Sequence, residues 1–347
     1  MSVAADVAPR RLPAKSFLSE AQLVEVRTRT TWRGVAMIVH AWAVIIAAIA
    51  MAVIWPNPLT WVLAIAVIGS RQLGLAILMH DGAHGLLANE TKLNLFLSQW
   101  LCAYPVLAET RAYRRYHLQH HAHTQTEQDP DLVLSAPFPI TEASYRRKFI
   151  RDITGQTGFE QRKAQVLNAM GDGSLPWRQR GAQFVERLGP QALFQVTLCV
   201  ALTVIAGWWV YPVLWVVPLL TWYQVVTRIR NIAEHAVISD SNDPLRNTRT
   251  TLANWLERAF IAPYFVNYHL EHHLVFYVPA YNLPRVHQIL MAGPLRDRVE
   301  IERGYGAVLR KATTRPLSED RQGALASNVR RARVGAEVGD DQRRGGF

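Results

Sequence analysis

Long apolar runs alternate along this chain with polar, strongly basic stretches, and the alternation predicts most of its elements. Four runs approach the roughly 20 residues a helix needs to cross lipid: Gly34 to Ile54, Leu59 to Met79, Ala192 to Trp209 and Tyr211 to Val226. The last two are short for a crossing, and Pro212 and Pro218 are expected to bend the fourth. A fifth run, Leu93 to Leu107, contains Gln99 and Pro105 and reads as re-entrant or lying along the surface. The polar stretch from Arg111 to Leu188 reads as mostly helical, broken by Gly155, Gly158, Gly171, Gly173 and Pro176. The predicted fold is an all-α integral membrane protein, with about four transmembrane helices under a cytoplasmic helical cap. Three regions follow: a polar basic segment 1–32, a membrane domain 33–303 and a polar tail 304–347, disordered from Leu317 to Phe347.

The connections set the orientation. WPNP (55–58) and GWWVYP (207–212) hold no Lys or Arg, so the positive-inside rule puts them outside and both termini in the cytoplasm. The expected location is the cytoplasmic (inner) membrane. Trp55, Trp61, Trp208, Trp209 and Tyr211 form an interfacial belt at those turns or pack between helices. A net charge of +11 suggests nucleic acid at first sight. The cations, however, flank apolar runs (Arg27, Arg29 and Arg33; Arg111, Arg114 and Arg115), which fits a membrane face and no nucleic-acid partner. Cys102 and Cys199 both lie in apolar runs, which leaves no disulfide framework and no thiolate zinc cluster. The first 31 residues lack a cleavable signal pattern, so the first span is expected to direct insertion.

Three histidine groups carry the chemistry. HDGAH supplies His80 and His84, HLQHH supplies His117, His120 and His121, and HLEHH supplies His269, His272 and His273. On a helix, residues three and four apart share a face, so each group presents imidazoles toward one point. With four crossings all three groups fall on the cytoplasmic side. A single boundary histidine is commonly an interfacial hydrogen-bonding residue, but a repeated HxxHH is hard to obtain that way. Imidazole suits zinc, copper, iron and nickel alike. Eight imidazoles without paired thiolates suggest two metal ions with room for an exogenous ligand. Iron then fits, because it binds and reduces dioxygen.

In these boxes, across roughly residues 33 to 300, the chain resembles the membrane fatty acid desaturase superfamily, which also includes acyl and carotenoid hydroxylases. The resemblance implies a non-haem centre of two iron ions that uses dioxygen and electrons from an external donor. It also implies a further ligand in an NxxxH arrangement. Here RNIAEH offers His235 as a ninth ligand and Asn231 as a water-holding residue; otherwise His235 is a local cap or salt-bridge partner. A membrane lipid or acyl substrate would lie in a tunnel, with Trp100, Tyr104, Trp222, Tyr223 and Tyr264 as candidate walls. No nucleotide fingerprint, cytochrome domain or Cys-rich cluster is present, so a separate ferredoxin or cytochrome is expected to deliver electrons.

These features imply an acyl-lipid desaturase. The alternatives are a hydroxylase or ketolase with the same site, acting on a fatty acid, sphingolipid, carotenoid or hydrocarbon, and, remotely, a metal transporter or sensor. Glu234, Glu271, Asp129 and Asp131 are candidates to orient ligand imidazoles, the two aspartates alternatively shaping a turn. His123 is assigned a supporting hydrogen bond, His40 a structural role and His287 packing at the cap. Arg71, inside the second span, holds a substrate polar group or a neighbouring helix, or marks a misplaced span boundary. Arg228 and Arg230 read as snorkelling anchors.

Overall fold

The computed structural model describes residues 12–314, so the expected disorder from Leu317 to Phe347 lies outside the described residues. A short helix α1 (Glu20–Arg27) leads into a long hairpin, α2 (Thr31–Ile54) and α3 (Pro58–Ala83). The WPNP turn closes this hairpin because Asn57 caps α3, its Oδ1 accepting from the Leu59 and Thr60 amides at 3.1 Å, with Pro58 preset for the first turn. After α4 (Thr91–Phe96) come the cap helices α5 (Thr110–His123), α6 (Leu132–Ser135), α7 (Glu142–Ile153) and α8 (Gln156–Ala169). The chain then runs down α9 (Trp177–Ala206) and back through α10 (Val217–Leu220) and α11 (Trp222–His235). The cap is completed by α12 (Trp255–Phe260), α13 (His269–Leu274), α14 (Leu283–Ala292) and α15 (Tyr305–Ala312).

Among the described residues, α2, α3 and α9 are long and apolar enough to cross a membrane. Their outward residues are apolar: Ile46 on α2, Leu59 on α3, and Val204 and Ile205 on α9 are exposed. Such a surface needs lipid around it. The α9 helix begins well before the expected Ala192, so the third span rises out of the cap as one continuous helix.

The fourth expected span is not one helix. A π-helical turn (Pro212–Val216) leads into α10, and Thr221 then leaves helical geometry at φ −115°, ψ −89° before α11 starts. Pro218 removes an amide from the ladder here and its ring crowds the preceding turn. Buried Gln72 on α3 donates to the Trp215 carbonyl at 2.9 Å and so ties this irregular stretch to the hairpin. The Leu93 to Leu107 run is also broken, turning through Leu97–Ala103 and Tyr104–Val106 to a left-handed Leu107, with Ser98, Cys102 and Ala103 buried. Two further expectations are corrected. A two-stranded parallel sheet, β1 (Thr250–Leu252) and β2 (Ile301–Arg303), interrupts the helical cap. The polar tail does not start at residue 304, because α15 buries Tyr305, Val308 and Ala312 against Ile232 and Ala236.

The end of α3 is held by backbone contacts that sequence patterning does not advertise. A Cβ on Gly82 would lie 2.2 Å from Ser98 Oγ, and one on Gly34 would lie 2.0 Å from the Leu87 carbonyl oxygen. Buried Asn94 donates to the Gly82 carbonyl at 2.8 Å and accepts from the Leu87 amide at 3.0 Å. Replacing Asn94 by leucine strands the Leu87 amide and leaves the Gly82 carbonyl only the Gly85 amide at 3.0 Å, at a cost of about 1–3 kcal/mol. Thermal unfolding of Asn94→Leu is therefore expected to show a lower Tm, with bound metal falling alongside because His84 rides on this loop.

Candidate metal centre

Four segments bring the histidines together: the end of α3, α5, the end of α11, and α13. All nine expected ligands meet, in two groups. His80, His84, His117, His121 and His272 form one; His120, His235, His269 and His273 form the other, each with its nitrogens within 4.8 Å of one another. Helical pitch explains the division. His117 and His121 are four residues apart and share a face of α5, while His120 is rotated by about 100° toward the second group. On α13, His269 and His273 likewise pair on one face and His272 turns to the first group. The groups adjoin, since the His121 and His273 ring centroids are 4.3 Å apart.

The nitrogens fit metal better than they fit one another. His121 Nε2 lies 2.9 Å from His117 Nε2 and 3.0 Å from His272 Nε2, and His269 Nε2 lies 2.8 Å from His235 Nε2. One ring N–H satisfies a single neighbour, so these nitrogens cannot all be matched internally. His80 Nε2, His84 Nε2 and His235 Nδ1 are buried with no hydrogen-bond partner. Burial pushes the imidazoles of His117, His121, His235, His269, His272 and His273 well below their ordinary pKa, and that of His84 down to about 3. Neutral imidazole is the metal-binding form. An all-imidazole donor set with no thiolate suits first-row transition ions.

Outer contacts aim several rings. Asp129 lies 2.8 Å from His120 Nδ1 and also holds the Gln125 amide at 2.8 Å, so it orients a ligand and shapes the turn. Desolvation would lower His120, yet Asp129, Asp131 and Glu234 raise it on balance. Tyr113 Oη lies 3.4 Å from His117 Nδ1, Thr124 Oγ1 3.3 Å from His273 Nδ1, and a Glu234 oxygen 3.5 Å from His269 Nδ1. Glu271 orients no ligand. It faces away from the metal groups and meets His287 Nδ1 at 2.6 Å while accepting from the Thr250 hydroxyl. His123 belongs to neither group.

Against the centre lies a cavity of about 270 Å³. Its walls toward the spans are Leu73, Ala76, Ile77 and Val266; toward the cap they are Tyr113, Tyr116, Thr227, Arg230 and Asn231. His80, His117, His120, His235 and His269 open into it. Of the candidate wall residues, only Tyr223 lines this cavity. Trp222 instead donates to Ser70 Oγ at 3.0 Å, and Trp100 packs on Tyr104, which accepts from Gln99. Arg230 is no snorkelling anchor: it reaches into the site and donates to Glu234 at 2.6 Å. Arg228 pairs with buried Asp152 at 2.8 Å. Sequence reasoning passed over Tyr113 and Tyr116, although both stand four residues before a ligand, one helical turn away. It also passed over Arg114, whose guanidinium donates to the Ala83 carbonyl and so caps the end of α3 beside His84.

Comparison with known proteins agrees with this geometry. The fatty acid desaturase family model matches residues 55–303. A curated relative, dihydrorhizobitoxine desaturase of Bradyrhizobium elkanii, is 29% identical over 258 residues, covering 72% of this chain and 73% of the relative. Asp129→Asn tests the outer contacts: it keeps the shape but weakens the His120 bond, and metal affinity is expected to drop about 10–100-fold in a chelator competition assay. An unchanged affinity would remove Asp129 from the site's support.

Proposed function

Since this chain belongs to the fatty acid desaturase family, we propose that it desaturates a fatty-acyl lipid with dioxygen at a centre of two iron ions. The observation carrying this reading is the facing of two imidazole groups onto a cavity whose span-side walls are apolar. Bound there, iron would supply dioxygen reduction and removal of hydrogen from an unactivated C–H bond. The nine histidines would hold the two ions. Asp129, Tyr113, Thr124 and Glu234 would keep the rings aimed, and Asn231, on the cavity wall, would hold a water. Leu73, Ala76, Ile77 and Val266 would exclude solvent and stop the acyl chain with its target carbon beside His80 and His117.

The broken run from Tyr211 to Val226 would serve as a fourth crossing. Both termini, the cap and the metal centre would then share the cytoplasmic face of the inner membrane. Irregular backbone at membrane depth is tolerable because Leu214, Trp215, Pro218 and Leu219 are buried in protein. Electrons would come from a separate ferredoxin or cytochrome. An acidic donor would be drawn to the basic cytoplasmic surface, so turnover is expected to fall as ionic strength rises; salt-independent turnover would dismiss this docking.

Expression in a host of known lipid composition, followed by acyl profiling, tests the reaction. Loss of two hydrogens is expected in the product. Gain of one oxygen would instead favour the hydroxylase or ketolase reading. Dihydrorhizobitoxine, named in the relative's description, belongs in the substrate panel beside acyl lipids. His120→Ala and His272→Ala, each removing a ligand from a different group, are expected to reduce product to background and to lower bound iron. Iron-loaded, donor-supplied protein that leaves every acyl chain unchanged would overturn the acyl-lipid assignment.

A further inference from the structure

We propose that a groove beside α2 and α3, separate from the metal cavity, binds the phosphate headgroup of an anionic phospholipid from the surrounding bilayer. The groove measures about 520 Å³ and runs between the two spans and the α12 segment of the cap. Its lining includes two guanidiniums, Arg71 and Arg258, and no carboxylate. Arg71 is 7% exposed and lies in the middle of a membrane-crossing helix, where a charge is costly unless it is paired or hydrated. Among the described residues no acidic side chain pairs with it. It donates one bond to the Ala259 carbonyl and lies 5.6 Å from the centre of the Tyr264 ring. Neither these contacts nor a bond to the Tyr264 hydroxyl neutralises the charge, and part of the five-donor fork is left for another acceptor. Arg258 is exposed on the same groove and has no ion-pair partner among the described residues.

Depth and lining select the occupant. About 20 Å of helix separates Arg71 from Pro58 at the far turn, against a hydrocarbon core of about 30 Å. The guanidinium is therefore within reach of headgroups in the leaflet on the metal-centre side. There Trp255 and Leu256, on α12, stand exposed next to the groove, as interfacial residues do. Val44, Val67 and Phe260 continue the groove as an apolar surface along which an acyl tail can lie. The two non-bridging oxygens of a phosphodiester offer a bidentate acceptor that matches arginine's planar fork. A zwitterionic headgroup carries its own cation into a groove already holding two, so an anionic lipid is favoured.

The experiment uses full-length protein in phosphatidylcholine nanodiscs titrated with phosphatidylglycerol. Lipid retained after transfer to detergent is counted by native mass spectrometry, which reads binding without any turnover. Wild-type protein is expected to keep phosphatidylglycerol in preference to phosphatidylcholine. Arg258→Gln and Arg71→Gln are each expected to lower that retention about fivefold, and Arg71→Lys to restore part of it. Arg71→Gln also loses the bond to Ala259; if it fails to fold, Arg258→Gln, at an exposed position, still decides. Equal retention of both lipids by the wild type, or wild-type retention by Arg258→Gln, would overturn the proposal. Neither outcome depends on iron or on the reaction.

Discussion

Unmatched imidazole nitrogens, driven together in a buried space, are the constraint around which this molecule is organised. Rings such as those of His121, His117 and His272 touch nitrogen to nitrogen at about hydrogen-bond distance, with too few protons to satisfy every contact. Buried polar atoms without partners are costly, and removing water from nine rings adds to the cost. Two metal ions would convert that cost into binding energy, since each orphan nitrogen would become a donor. Metal binding, where it occurs, would therefore be linked to folding of the cap.

Holding four segments to one point takes rigidity, which the hairpin of α2 and α3 supplies. Its last turn carries His80 and His84 beyond the apolar stretch, and Asn94, Gly82 and Gly34 fit the following loop closely against its neighbours. Arg114 caps the final carbonyls, and Arg29 donates to the Gly85 carbonyl at 2.7 Å. Part of the basic charge along the chain is therefore spent on helix ends and loops. Arg228 and Arg230 are used differently, each tied to a buried carboxylate.

The convergence of the nine histidines was legible because it depends on spacing within helices, and spacing survives in a linear sequence. The division between metal groups is also implicit in helical pitch, but fixing it requires knowing how α5 faces α13. The supporting carboxylates were legible by proximity alone, and proximity misleads on a helix. Glu271 adjoins His272 in the chain yet points about 100° away, toward His287. The break in the fourth run was legible as a bend at Pro212 and Pro218, but not its place, because hydropathy counts apolar residues and does not show where the helix departs at Thr221. Residues after Gly304 read as tail because composition ignores pattern, and α15 is held by three buried side chains at helical spacing.

The polar residues inside the spans bear on what the membrane part does. A route for ions would need side chains free to face a water-filled path. Ser70 donates to the Ala66 carbonyl at 2.8 Å and accepts from Trp222, while Gln72 is bonded to the Trp215 carbonyl. His40 Nδ1 lies 3.0 Å from the Tyr264 hydroxyl, and Arg71 bonds the Ala259 carbonyl and faces the groove beside α2 and α3, away from the metal groups. Each of these groups joins one segment to another or braces its own helix, and none lines the cavity at the metal groups. The spans therefore act as a scaffold cross-linked by its own polar side chains, and the imidazoles gather at its end instead of along a conduit. That arrangement suits chemistry at a lipid boundary and argues against passage of metal through it.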